Sequence, residues 1–219
     1  MACSQCCTKL KFICKTCSFL IGYIRNIALE SILKSIKISC RNSKFGCEEI
    51  FAYAERDAHE RTCQHAPCYC PMSNCTFRGQ TTKLSTHFSS KHSSELWYLQ
   101  RYGSFTTIYL PQDQPFHVIN GKDGRLFLLL NSRNVASGNC LSLACIRPSS
   151  DVWDLEYELR VLGGRGNTLH LKGLPIDMTK WGGVYPDKHF LFVPSKQIGP
   201  RGVMKVDVKV RKIKPVAVE

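Results

Sequence analysis

Apolar positions recur with two different periods along these 219 residues, and the change of period divides the chain. In NIALESILKSIKI, Ile32, Leu33 and Ile36 fall at i, i+1 and i+4, the stripe of a short amphipathic helix. Residues 38–96 are thin in apolar side chains, too thin to build a sufficient core of their own. From about residue 97 short apolar runs begin: RLFLLLN, CLSLACI, YELRVLG, NTLHLKGL, HFLFVP and VMKVDVKVRKI. Several alternate with period two, most cleanly Val206, Val208 and Val210 against Lys205, Asp207 and Lys209. The stretches NGKDG, NSRNVASGN, GGRGN and QIGPRG separate them as turns. Short strands at this spacing, with no helical pattern between them, predict an antiparallel sandwich or barrel.

Cysteine changes the reading of the apolar-poor stretch. Eleven of the thirteen cysteines precede residue 76, and several of the seven histidines accompany them. Nothing near the N-terminus resembles a secretory signal. FICKTCSFLIGYI is broken by Lys15 and two cysteines, and its apolar run is too short to span a bilayer. The expected setting is therefore the reducing cytoplasm or nucleus, away from membranes, where clustered Cys and His hold metal rather than form disulfides.

The middle stretch carries a repeat. Its first unit is Cys40, Cys47, His59 and Cys63; its second is Cys70, Cys75, His87 and His92. Both place eleven residues between the second cysteine and the first histidine. Four soft ligands suit a tetrahedral structural zinc with no position left open, so two zinc ions are expected. His59 and Cys63 sit one turn apart on a helix that AERDAHERTC could form, and Phe77 and Leu84 should pack over the second metal. Cys68 competes with Cys70, because Cys68 would copy the six-residue gap of the first unit, whereas Cys70 leaves a linker after Cys63. We assign Cys70. Upstream lie two further pairs, Cys3/Cys6 and Cys14/Cys17, which suit either a third zinc site of their own or half of a larger one.

The formal charge of +13 favours acidic partners, nucleic acid among them. The basic residues are spread along the chain, however, and only KVDVKVRKIK is locally dense, which is the pattern of a solvated surface. Sequence-reading fingers keep their first cysteines two to four residues apart, and AERDAHE carries three acids against one arginine; both features disfavour phosphate contact. No residue is assigned a catalytic role. Cys140 and Cys145 point to opposite faces of a strand as small buried groups, with Cys7 and Cys68 left outside any ligand set. His117, His170 and His189 are read as structural or solvated, Trp153 and Trp181 as core or rim residues, and GGRGN as a turn.

CRNSKFGCEEIFAYAERDAHERTC followed by CPMSNCTFRGQTTKLSTHFSSKH resembles the SIAH-type zinc finger of the seven-in-absentia proteins, and HFSSKH and IGYIR most resemble the plant SINA-like branch. The resemblance implies a mainly β protein with small α+β zinc modules in three parts. These are a partial RING with a linker helix over 1–37, a tandem SIAH-type double zinc finger over 38–96, and a TRAF-like antiparallel β-sandwich over 97–219. It implies an E3 ubiquitin ligase whose RING holds a ubiquitin-conjugating enzyme and whose sandwich binds substrates for degradation and dimerises with itself or related ligases. A RING takes eight ligands in cross-braced pairs. Carried over, Cys3/Cys6 match the third pair and Cys14/Cys17 the fourth. The first pair and the family's histidine would fall upstream of Met1, so a RING truncated at its N-terminus is expected. Lys15 and Leu20 stand where the family carries prolines. Two alternatives follow: a substrate adapter or dominant competitor without ligase activity and, more weakly, a nucleic-acid-binding finger protein.

Overall fold

The computed structural model describes residues 4–21, 27–135, 137–148, 152–163 and 167–217. Cys3 and the side chains of Cys6 and Trp153 lie outside the described residues. The chain forms two compact units, Met1–Cys63 and Gln64–Glu219, and the division falls between the two Cys/His quartets.

In the first unit, helix α1 (Ser4–Lys9) precedes a tight hairpin closed by the Ile13–Leu20 bridge and by the Cys14 N–H on the Phe19 carbonyl at 2.9 Å. Helix α2 (Ile27–Ser35) forms where the periodicity predicts a helix. Its half-buried apolar positions are Leu29 and Leu33, whereas Ile32 is exposed and Ile36 lies exposed beyond its end. Of the expected stripe Leu33 faces inward, joined by Leu29 one turn earlier rather than by Ile32 and Ile36. A two-stranded antiparallel sheet follows, β1 (Lys37–Ser39) with β2 (Ile50–Ala52), and then helix α3 (Arg56–Thr62). The buried core of this unit consists of Cys40, Cys47 and Cys63, with Phe51 packed against them.

The second unit opens with the hairpin β3 (Cys68–Tyr69) and β4 (Arg78–Gly79), followed by helix α4 (Thr81–Lys91). Ten strands make up the rest: β5 (Leu96–Tyr98), β6 (Thr106–Pro111), β7 (Phe116–Asn120), β8 (Leu126–Val135), β9 (Gly138–Ile146), β10 (Val152–Leu162), β11 (Thr168–Gly173), β12 (Ile176–Met178), β13 (Leu191–Pro194) and β14 (Val203–Ala217). They build two sheets, β11-β10-β14-β6 and β12-β9-β8-β7-β5, with β13 also on β9. Most pairs are antiparallel, but β5 runs parallel to β7 and β12 parallel to β9. β6 and β7 were not among the runs singled out from sequence, although Thr106, Ile108 and Leu110 alternate cleanly inward.

Between the sheets, Ile108, Leu159, Val206, Val208 and Val210 meet Ile119, Phe127, Leu129, Leu141 and Leu143. The other face of the larger sheet is buried as well: Val118, Leu126, Leu128, Leu130, Ala144 and Ile146 lie under Leu84 and Phe88 of α4. This second layer explains why RLFLLLN and CLSLACI are continuous apolar runs rather than alternating ones, since strands covered on both faces need apolar side chains on both. Gly138 is required where β9 meets β13, because a Cβ there would sit 2.3 Å from the Val193 carbonyl oxygen.

Most buried polar groups are tied down; among the described residues His92, His117 and Gln197 carry buried side-chain atoms without a hydrogen-bond partner. Asn131 Nδ2 donates to the Gln114 carbonyl at 2.8 Å, and Asn139 Nδ2 donates to Asn131 Oδ1 at 2.7 Å, which pins the 111–115 turn to the sheet. His117 is buried beside Trp97 with both ring nitrogens lacking a hydrogen-bond partner. Burial lowers its pKa below the usual imidazole value of 6.5, with the Glu95 charge acting the other way. The unfolded chain therefore takes up a proton near that value while the folded chain does not. The stabilisation is complete above it and is lost as pH falls through the folded pKa. One differential proton is worth at most about 1.4 kcal/mol per pH unit. Urea titrations of the native chain and of His117→Leu should diverge between pH 7 and pH 5, the native chain losing stability more steeply; parallel curves would refute this.

No helix among the described residues is long and apolar enough to cross a membrane. The outer face of the smaller sheet carries ion pairs, with Glu158 meeting Arg160, Lys209 and His170, and Glu156 meeting Lys172 and Arg211. Burial pushes both carboxyl pKa values up, but the basic neighbours outweigh it and hold them below the ordinary range. Part of the positive charge is thus spent within the fold.

Candidate metal centres

The first quartet is assembled by three local devices. Cys40 follows β1, and the turn after it reverses through Gly46 at φ +103°, a left-handed position that glycine occupies without strain, to deliver Cys47. His59 comes from α3, and Cys63 ends that helix in an extended conformation. All four ligand atoms lie within 4.8 Å of one another. Cys40 Sγ is 3.8 Å from Cys63 Sγ, and Cys47 Sγ is 3.4 Å from His59 Nε2. A tetrahedral zinc with ordinary bond lengths requires about 3.8 Å between sulfurs and about 3.6 Å between sulfur and nitrogen. Phe51 lies against the His59 ring at 4.4 Å, a support that sequence reading did not anticipate.

The ligand atoms of the second quartet, Cys70, Cys75, His87 and His92, likewise lie within 4.8 Å of one another. Cys70 leaves β3 with its N–H on the Phe77 carbonyl, so the hairpin loop itself sets the four-residue gap to Cys75. Cys75 Sγ lies 3.3 Å from His87 Nε2. Phe77 stacks on His87 with centroids 4.1 Å apart, and Leu84 is fully buried beside it, as the sequence implied. Cys68 is elsewhere: it is buried against the Thr81 hydroxyl at 3.6 Å, outside the quartet.

Two observations test whether the donor sets fit a metal. His92 Nε2 is buried without a hydrogen-bond partner, the condition of a ligand lone pair directed at an ion. Burial also pushes the thiols up, Cys40 to about 11 and Cys70 to about 12, so only a cation makes thiolates of them here. Both quartets fit a closed structural zinc site, which holds the fold and leaves no coordination position for substrate.

At the N-terminus, Cys14 and Cys17 share the hairpin turn. Backbone N–H groups of Cys17 and Thr16 approach the Cys14 sulfur and lower its pKa to about 7. Cys17 is exposed, as are Phe19 and Leu20 on the same hairpin. Cys3, and the Cys6 side chain that would complete either expected arrangement, fall outside the described residues.

The acids of α3, read from sequence as repelling phosphate, are internally paired. Asp57 meets Lys9, and Glu60 meets Arg41 and Arg56. That helix is charge-compensated rather than acidic. Cys145 is fully buried in the sandwich, and His170 is held by Glu158, so neither joins a reactive set.

A family model described as "Sina, zinc finger" matches residues 31–105, which include both quartets. Zinc is accordingly the metal of these centres. The chain is 30% identical over 218 residues to E3 ubiquitin-protein ligase SINA-like 2 of Arabidopsis thaliana, a match covering 98% of this chain and 69% of that protein. It is 33% identical over 164 residues to the Arabidopsis thaliana protein named Putative E3 ubiquitin-protein ligase SINA-like 9, over 73% of this chain and 59% of the relative. With E3 ubiquitin-protein ligase SINA-like 10 of the same plant it shares 38% over 96 residues, 44% of this chain and 28% of that protein.

Proposed function

Because this chain belongs to the SINA-like E3 ubiquitin-protein ligase family, we propose that it brings protein substrates to a ubiquitin-conjugating enzyme for ubiquitination. The observation that carries the reading is the order of parts within one chain: a cysteine-pair hairpin, two complete zinc quartets and a β-sandwich, aligned to a relative along almost its whole length. Transfer of this kind needs no nucleophile from the ligase. A substrate lysine amine attacks the thioester of the loaded conjugating enzyme, an isopeptide bond forms, and the enzyme's cysteine leaves as the thiol. The ligase contributes proximity and orientation, which turn a bimolecular encounter into an effectively unimolecular step. In this reading Cys14 and Cys17 are zinc ligands of a RING-type docking element, and the 64–219 unit holds the substrate and a second, related subunit. A reducing compartment, cytoplasm or nucleus, suits a chain none of whose described cysteines is in a disulfide.

A second reading has its own support. The two zinc quartets and the sandwich could hold substrates for intact relatives without transfer by this chain itself, which is the adapter reading. Reconstitution with activating enzyme, conjugating enzyme and ubiquitin separates the two. Self-ubiquitination that falls at least tenfold in Cys14→Ser, with both quartets still loaded, supports the ligase. No activity from a preparation holding two zinc ions per chain refutes it for this chain and leaves the adapter.

A further inference from the structure

An apolar groove of about 320 Å³ lies wholly within the 64–219 unit, where the loop between Cys70 and Cys75 faces the start of β7. Its walls are Met72, Pro115, Phe116, Val118 and Trp181, and the one charged residue lining it is Glu95. The parallel register of β5 and β7 explains this placement. Leu96 is opposite Val118, so the residue entering β5 and the first residues of β7 share one end of the sheet. Phe116 and Trp181 meet edge to face at 5.9 Å, and Trp181 meets Tyr185 at 5.2 Å, so the indole is packed against two aromatic neighbours. The loop bearing Trp181 is anchored in turn by the Tyr69 N–H on the Thr179 carbonyl at 2.8 Å.

Glu95 has no ion pair among the described residues, and neither do Glu48, Glu49, Glu55, Asp113, Asp187 and Asp207. Of these acids only Glu95 lines the groove, where its charge also acts on His117. An apolar occupant of the groove would strip water from this carboxylate and return nothing, an uncompensated cost. An occupant with an apolar body and a cationic end avoids it. Aromatic faces favour the same choice, because their electron-rich surfaces attract guanidinium and ammonium groups, guanidinium also by stacking.

We propose that this groove is a docking site for an extended segment of a partner protein, which lays a basic side chain, arginine ahead of lysine, along the groove beside Phe116 and Trp181 with its charge at Glu95. The proposal rests on the reading of the 64–219 unit as a protein-holding module; ubiquitin transfer does not enter it.

The test uses the zinc-loaded 219-residue chain and three pools of fluorescein-labelled heptapeptides. Each pool carries Ala, Leu, Pro or Val at the flanking positions and arginine, norleucine or glutamate at the centre. Fluorescence polarisation should show saturable binding of the arginine pool at least fivefold tighter than the norleucine pool, with the glutamate pool weakest. Glu95→Gln, a change at an exposed carboxylate that leaves zinc content and melting unaltered, should erase the arginine preference, and Glu95→Lys should shift it toward glutamate. Trp181→Ala should weaken the arginine and norleucine pools by fivefold or more. Equal binding of arginine and norleucine pools, a preference that survives Glu95→Gln, or no saturable binding of any pool overturns the proposal. So does sedimentation showing a self-dimer that Glu95→Gln dissociates, since the occupant would then be a second copy. Self-ubiquitination of the same preparation is scored apart. Transfer without an arginine preference removes the groove alone, and a preference without transfer removes the ligase reading alone.

Discussion

Cys63→Ser should cost the chain one zinc ion and unfold residues 37–63 while the 64–219 unit keeps its melting transition. Among the described residues the core cluster of the first unit is three of the four ligands, with Phe51 leaning on them, so little apolar packing there is independent of the ion. Structural zinc contributes about 10–16 kcal/mol of apparent binding energy in comparable small modules, more than a two-stranded sheet and a seven-residue helix can replace. Metal analysis should fall by one ion per chain, and amide exchange should show protection vanishing across β1, β2 and α3. Cys63→His offers the control: a nitrogen ligand at the same place should restore much of the zinc, which a purely volumetric role for the cysteine would not allow. Retained protection in the serine variant would show that the unit has a core apart from its metal.

Phe88→Ala should destabilise the second unit by about 3–5 kcal/mol, the usual cost of deleting a fully buried aromatic ring. For a unit of this size that corresponds to a fall in Tm of roughly 6–20 °C. Phe88 is completely buried among Leu126, Leu128, Leu130 and Ile146 of the larger sheet, and its ring also lies 5.0 Å from that of His92. One substitution should therefore lower both the melting temperature of the β-sandwich and the zinc affinity of the second quartet. If the helix were only a metal-clamped attachment, zinc affinity would drop while the strands melted as before. Near-ultraviolet dichroism and zinc competition on the same sample distinguish the outcomes.

The ligand sets were legible because metal coordination leaves its mark in spacing. The repeated gap of eleven residues between a cysteine and a histidine survives whatever the backbone does between them. The sandwich was legible in Val206, Val208 and Val210, whose alternation records one buried and one solvated face. Less was legible where burial comes from partners distant in sequence. The pattern does not single out β6 and β7, and in α2 it points to Leu33 correctly but to Ile32 and Ile36 wrongly, because a short helix with exposed isoleucines does not declare which side faces inward. The acids of α3 looked repulsive only while Lys9, Arg41 and Arg56 were out of view.

Composition and spacing by themselves determined the zinc chemistry, seven of the eight ligand positions and the β character of the C-terminal part, and the finger residues carried the family resemblance. The tertiary structure alone decided that the two quartets belong to different compact units, and that the second shares its core with the sandwich. It alone placed Cys70 in the second quartet with Cys68 against Thr81, and brought Glu95 to the mouth of an aromatic groove. Ligand spacing is a local property, written wherever four donors must reach one ion. Which surface covers which is a matter of long-range packing, and the runs RLFLLLN and CLSLACI could state that both faces of β8 and β9 are buried without stating what buries them.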